Sequence, residues 1–262
     1  MVENEIEKCS VLRVTEQESY RIKDSLVREF PLTIILNNRE LVTLLCSPSD
    51  LKYLAVGFLA AEGLLKSKDE ITKILVDARR GVVRVETKTD FPSDLLFKRL
   101  ITSGCGRGAS LYGAADAQGQ IHKVDSQTSL PIVKIFSLVT EFQQRSLVFR
   151  ITGGVHSAAL CSNDGILIFN EDIGRHNAID KIFGECILKD IPTNDCIVIT
   201  SGRISSEILL KVAKRNISML ISKSAPTNLG RNLANELGIT LIGFVRGQRM
   251  NVYANDWRII KG

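Results

Sequence analysis

The sequence predicts an α/β protein, with a carboxy-terminal α/β domain over residues 131–262 and a smaller α+β domain over residues 1–100 ahead of it. Three observations carry that expectation. Apolar, β-branched segments CIVIT (196–200), SMLIS (218–222) and TLIGF (240–244) recur about every 22 residues, with an amphipathic stretch between each and the next. Ahead of them, short β-rich runs alternate with a single helix-like segment. Between Thr89 and about Leu130 the periodicity fades into glycine and polar residues, which sets residues 101–130 apart as a glycine-rich, cysteine-bearing connection.

In chain order, PLTIILNN and ELVTLLC read as two strands, and Asn37-Asn38 between them reads as a tight hairpin turn. SPSDLKYLAVGFLAAEGLL reads as a helix, opened by a Ser-Pro-Ser-Asp cap and carrying Leu51, Leu54, Ala55, Phe58 and Leu59 at helical spacing. GVVRVETK closes this half as a third strand. In the second half, GILIFN is a strand and RHNAIDKIFGECILK a helix with Ile179, Ile182, Phe183, Cys186 and Ile187 on one face. The three recurring strands then alternate with SSEILLKVAKRN and TNLGRNLANELG. That order implies at least three parallel strands with right-handed crossovers, covered by Ile208, Leu209 and Val212 of one helix and Leu229, Leu233 and Leu237 of the next.

Composition narrows the function classes. A chain of 262 residues, 44% hydrophobic, with 34 Lys+Arg against 29 Asp+Glu is an ordinary globular protein able to bury a full core. The net charge of +5 suits an anionic ligand, but no block of Lys/Arg marks a nucleic-acid surface. The longest apolar run, Leu54 to Ala61, is far short of the roughly 20 residues a membrane span needs, so no membrane partner is expected. Six cysteines form no C-x-x-C pair and no charged-then-apolar signal opens the chain, so a reducing cytoplasm is expected.

Ligands of an open α/β sheet bind at the carboxyl ends of its strands. The turns there are FNEDIGRHN, SGRISS, KSAPTN and VRGQR, supplying Gly174, Gly202 and Gly247 together with Arg175, Arg203, Lys223, Arg246 and Arg249. One such turn is ordinary loop chemistry; four on one rim point to an anionic, phosphate-bearing ligand. Neither G-x-x-x-x-G-K-[ST] nor G-x-G-x-x-G is present, so a P-loop and a standard dinucleotide fold lack support. His156 and His176 lie in glycine-bearing polar contexts, but H-x-E with P-C-x-x-C is absent, which argues against a zinc deaminase site and leaves no metal site expected. His176 and Asp180, one helical turn apart, either pair on a helix surface or serve a ligand. His122 lies in a surface-like run.

Cys161, Cys186 and Cys196 sit in apolar contexts and are expected to be buried. Cys105 differs. In ITSGCGRGASLYG its flanking glycines leave the sulfur reachable, and Arg107 favours the nucleophilic thiolate.

Taken together, EFPLTIILNNRELVTLLCSPSDLKYLAVGFLAAEGLL, SGCGRG, TGGVHSAAL, EDIGRHNAIDKIFGE, VITSGRISSEILLKVAK and SKSAPTNLGRNLANELGITLIGFVRGQRMNVYA resemble the formate dehydrogenase accessory sulfurtransferase family, FdhD, from about Glu29 to Ala254. The resemblance implies a cytoplasmic homodimer that takes sulfur from a cysteine desulfurase as a persulfide on Cys105. It implies delivery of that sulfur to the molybdenum or tungsten bis(molybdopterin guanine dinucleotide) cofactor for formate dehydrogenase. It also implies that the carboxy-terminal domain is a three-layer α/β unit with a largely parallel sheet, similar to cytidine deaminases without their zinc. Cofactor contacts are implied for Phe244, Val245, Arg246, Gly247, Gln248 and Arg249, and the rim reading adds Gly202, Arg203 and His176. One departure stands out: the family commonly carries Cys-x-x-Cys in this loop, and here the second position is Gly108. Either one cysteine suffices, or another such as Cys46 or Cys161 substitutes in space, or the chain only carries the cofactor.

Overall fold

In the computed structural model, which describes residues 4–89 and 123–261, the chain opens on an antiparallel ribbon, β1 (Ile6–Val14) with β2 (Ser19–Val27). Most of its residues are exposed on both faces, so no apolar alternation announces it in the sequence. β3 (Phe30–Leu36) and β4 (Arg39–Cys46) follow as the expected hairpin. Asn37 and Asn38 both take positive φ, 46° and 63°, the backbone of a two-residue turn whose twist matches the strands it joins.

α1 (Leu51–Ala61) is the expected helix, but its cap is not: Asp50 stands at the N-cap position with φ 54° and its side chain caps no N–H. The helix stops at Glu62-Gly63, where Gly63 turns left-handed (φ 74°). β5 (Ile71–Asp77) and β6 (Val82–Thr87) complete a sheet of order β4-β3-β6-β5, in which β3 and β6 run parallel. Alternate residues Leu32, Ile34, Leu36, Leu44, Val83 and Val85 face inward, and α1 covers them with Leu51, Leu54, Phe58 and Leu59.

Beyond residue 123 come β7 (Leu130–Pro131), α2 (Ile132–Arg145), α3 (Leu147–Thr152), β8 (His156–Cys161), β9 (Ile166–Asp172) and α4 (Arg175–Lys189). β10 (Ile197–Thr200), α5 (Ser206–Ala213), β11 (Met219–Ser222), α6 (Asn228–Leu237), β12 (Thr240–Arg246), β13 (Arg249–Ala254) and β14 (Ile259–Ile260) follow. The main sheet has the order β13-β12-β11-β10-β8-β9. Its centre, β10, β11 and β12, is parallel as the spacing required. The flanking strands β8, β9 and β13 are antiparallel, so the sheet as a whole is mixed around a parallel centre.

Successive strand residues serve opposite faces. Val198, Leu220 and Leu241 meet α4, α5 and α6, while Ile197, Ile199, Met219, Ile221 and Ile242 meet Ile135, Leu138 and Phe142 of α2. The result is three layers: helix, sheet, helices. Leu229, expected to cover the sheet, is instead 56% exposed: in the first turn of α6, where Thr227 caps Gly230, the buried residue is Gly230.

α4 is buried on both sides. Its predicted face (Ile179, Ile182, Phe183, Cys186, Ile187) is in the core, and its opposite side carries buried Asn177, Asp180, Lys181 and Gly184 under α1. The two helices touch through glycines: a Cβ on Gly57 would lie 1.8 Å from the Asp180 carbonyl oxygen, and one on Gly184 would lie 1.9 Å from that of Tyr53. At the far edge of the fold, fully buried Arg258 ties residues 123–128 to the sheet, donating to the carbonyls of Ser126 and Gly238 and to Thr240 Oγ1.

Candidate functional site

Strand directions bring the predicted turns to one edge. β10, β11 and β12 end there, antiparallel β8 begins there at His156, and β9 ends there because Asp172 pairs with His156. Small hydroxyl residues lock the turns to one another. Ser157 N–H donates to Ser201 Oγ at 3.0 Å, and the same oxygen lies 3.2 Å from His156 Nδ1. Ser222 Oγ donates to the Gly202 carbonyl (2.7 Å) and accepts from Ser224 N–H (2.9 Å); Phe244 N–H then donates to the Ser224 carbonyl (3.1 Å). This serine chain was not legible in the sequence, since serines in polar turns are common.

Gly202 has a packing reason to be glycine: a Cβ would lie 2.8 Å from Cβ of Arg175, whose aliphatic stem crosses it at the start of α4. Arg175 Nε is buried with no hydrogen-bond partner among the described residues. Arg203, beside Gly202, is exposed. Lys223 is half-buried, and burial followed by the charge of Arg246 pulls its pKa below the usual lysine value.

The segment after TLIGF differs from expectation. The strand does not end at Phe244 but continues through a bulge to Arg246, with Phe244 at φ 52°, and Gly247 (φ 55°) and Gln248 turn it into β13, so the turn is the tip of a hairpin. Phe244, Arg246, Gly247, Gln248 and Arg249 are exposed at its tip. Val245 is 1% exposed and packs in the α2-side core, so only its backbone can reach a ligand. Arg246 and Arg249 face each other across the hairpin, a like-charge pairing that disfavours the free state and suits an anion between them. Among the described residues none of Arg175, Arg203, Lys223, Arg246 and Arg249 makes an ion pair.

His176 and Asp180 do not pair. Asp180 is turned to Lys211 Nζ (2.6 and 2.5 Å), and His176 Nε2 lies 3.6 Å from Glu207 Oε2. Burial, with Lys211, Arg175 and His156 beside it, drops His176 to a pKa of about 3, so its contact with Glu207 is that of a neutral imidazole. His156 is lowered too, by burial and then Arg175. Burial pushes the Asp180 carboxyl up, against the pull of Lys211.

Behind the rim lies a buried ion pair that sequence reading missed. Lys181 Nζ and Asp172 Oδ2 are 2.8 Å apart, both side chains fully buried. Asp172 also accepts from Ser47 N–H, Gly174 N–H and Asn177 Nδ2, and Lys181 donates to the Glu171 carbonyl. Asn177 Nδ2 reaches the Leu45 carbonyl, so the network joins the end of β4, the end of β9 and α4. Its signal was present: polar residues on the side of EDIGRHNAIDK that faces away from the apolar stripe.

Cys105, Arg107, Gly108 and His122 lie outside the described residues. The thiols proposed as substitutes are poorly placed for nucleophilic work. Cys46, Cys161 and Cys186 are buried, which pushes each up to about 12, and Cys196 is raised for the same reason. Cys9 is half-buried on β1. Among the described residues no cluster of three or more His, Cys, Asp or Glu could hold a metal ion, and no helix is long and apolar enough to cross a membrane.

Residues 27–260 match the FdhD/NarQ family. The chain belongs to that family. It is 43% identical over 257 residues to the sulfur carrier protein FdhD of Bacillus pumilus, covering 97% of this chain and 98% of that one. To the sulfur carrier protein FdhD of Bacillus subtilis it is 43% identical over 251 residues, covering 95% of each. The fold matches the crystal structure of a proposed formate dehydrogenase accessory protein from Desulfotalea psychrophila with a TM-score of 0.79, at 27% identity over 97% of this chain and 99% of that one. The FdhD/NarQ match begins at Val27, the last residue of β2, and takes in the four-stranded sheet, the main sheet and the rim.

Proposed function

We propose that this chain is a sulfur carrier serving formate dehydrogenase, with Cys105 as the carrying thiol and the rim as the seat of the cofactor that receives the sulfur. The rim's five basic side chains, none with a carboxylate partner among the described residues, are the observation that carries the second half of this reading. A ligand with a pyrophosphate, such as the guanine dinucleotide end of a molybdenum or tungsten cofactor, neutralises them. Neutral His176 and the serine hydroxyls present hydrogen-bonding groups that need no counter-charge.

The first half rests on chemistry. The Cys105 thiolate attacks the outer sulfur of a cysteine desulfurase persulfide; the S–S bond there breaks, the desulfurase keeps its thiolate, and Cys105 holds the persulfide. Passing that sulfur on as sulfide consumes two electrons, which a second thiol supplies by forming a disulfide. Where relatives place that thiol, this chain has Gly108, so the electrons come from an external thiol or from the reduced cofactor metal. The protein acts in the cytoplasm as a homodimer.

Gly108 favours one other reading, a carrier that delivers the cofactor without loading sulfur. Mass spectrometry after incubation with a desulfurase and cysteine separates the two. The sulfur carrier gains about one sulfur atom on Cys105 and loses that gain in Cys105→Ala. No gain under conditions that load a Cys-x-x-Cys relative leaves only the cofactor carrier.

A further inference from the structure

Arg215 follows α5 on the loop into β11, at the opposite edge of the main sheet from the rim. Its backbone is tied down: the N–H donates to the Val212 carbonyl at 3.1 Å, and the carbonyl accepts from Thr193 Oγ1 at 2.7 Å. The residue is half-buried, yet its guanidinium makes no hydrogen bond and no ion pair among the described residues. Burial pulls its pKa below the usual guanidinium range, against the smaller opposing pull of Cys186 and of Asp180, whose carboxylate is already taken by Lys211.

The side chain lines a cleft of about 320 Å³ between the loop after α4 and the turn at Lys66–Lys68. Lys66 and Lys68 line it too, while Asp190 is the single carboxylate among the described residues of its wall and is already ion-paired with Lys68. Three cations against one carboxylate leave two positive charges, on Arg215 and Lys66, the complement of a phosphate dianion. Ser67 and Asn194 add neutral hydrogen-bonding groups at the wall; Asn194 Oδ1 accepts from Asn216 Nδ2 and its own amide hydrogens remain available. Ile187, Ile191 and Pro192 form an apolar floor. The volume is within the range of small-molecule sites.

We propose that this cleft binds a phosphate group, free or carried on a small molecule, at a site separate from the rim. α4 runs from Arg175 at the rim to Cys186 and Ile187 in the cleft, and eleven residues of helix rise about 17 Å, so one phosphate cannot serve both places.

Calorimetric titration of the full chain in chloride buffer, first with inorganic phosphate and then with phenyl phosphate, tests it. Both should bind, and Arg215→Gln or Lys66→Gln should weaken them at least about tenfold, since each removes a charge-assisted contact. Arg246→Gln with Arg249→Gln should leave that affinity unchanged, and GDP binding should survive Arg215→Gln, which separates this site from the rim. Phenyl phosphate binding tighter than phosphate assigns the cleft to a phosphate carried on an apolar body; equal affinities assign it to the free ion. Wild-type affinity in both cleft variants, or no heat from either probe at millimolar concentration, overturns the proposal. Lys66 is exposed, so its variant keeps the test valid should Arg215→Gln fail to fold.

Discussion

Arg246 and Arg249 sit opposite each other at an exposed hairpin tip, and neither makes an ion pair among the described residues. Their replacement by glutamine should therefore cost GDP affinity at least about tenfold, the worth of one or two charge-assisted hydrogen bonds, while thermal stability holds or rises slightly as the repulsion is removed. Calorimetry with GDP decides it, and undiminished affinity would place the nucleotide elsewhere. His176 makes a different kind of prediction. Its folded pKa is about 3 against an ordinary value of 6.5, so between those values the unfolded chain holds a proton that the folded chain does not. Stability from this residue is complete above about pH 6.5 and is lost as pH falls, at a slope approaching about 1.4 kcal/mol per pH unit. Denaturant melts of the wild type and His176→Gln at pH 7 and pH 5 should show the wild type losing on the order of 1–2 kcal/mol more than the variant. The raised acids Glu5, Asp50, Glu171 and Asp180 act with the opposite sign but are common to both proteins. Parallel losses would mean that His176 titrates normally.

Between elements, the closest approach is α1 against α4 at Gly57 and Gly184. Adding a methyl group at Gly184 drives it into the Tyr53 carbonyl, a backbone atom that cannot swing aside. Gly184→Ala should cost at least about 2 kcal/mol by forcing the helices apart. Gly165→Ala is the control: its nearest neighbour is 3.8 Å away, at the end of the flexible Glu141 side chain, and it should be near neutral. Equal melting temperatures for the two variants would remove the glycine contact as the determinant of helix spacing. The sequence showed α1 and α4 as separate amphipathic helices, because apolar periodicity reports which face is buried without naming the partner. That α4 is buried on its polar side as well follows only from where α1 lies.

Across the whole molecule, the Asp172–Lys181 pair holds the amino-terminal sheet, the rim and α4 to one another. Lys181→Met leaves a fully buried carboxylate without its cation and should cost about 3–5 kcal/mol, and Asp172→Asn a similar amount. The double variant should lose less than the sum of the two, because neither charge is then stranded. Scanning calorimetry should show one transition for the wild type; strictly additive losses, or two separate transitions, would mean that this network does not couple the halves. The sequence alone determined the α/β class, the parallel centre of the sheet, the β3–β4 hairpin and the edge at which polar turns gather, because each of these follows from local spacing or from a turn that only certain residues can make. Tertiary structure decided the antiparallel flanks of the sheet, the bulged hairpin that carries Phe244 to Arg249, the burial of Val245, and the partners of His176, Asp180 and Lys181. Those depend on which residues meet across more than a hundred positions of chain, as Ser47 meets Asp172, and pairwise charge, burial and close packing between distant segments leave no period in the sequence to read.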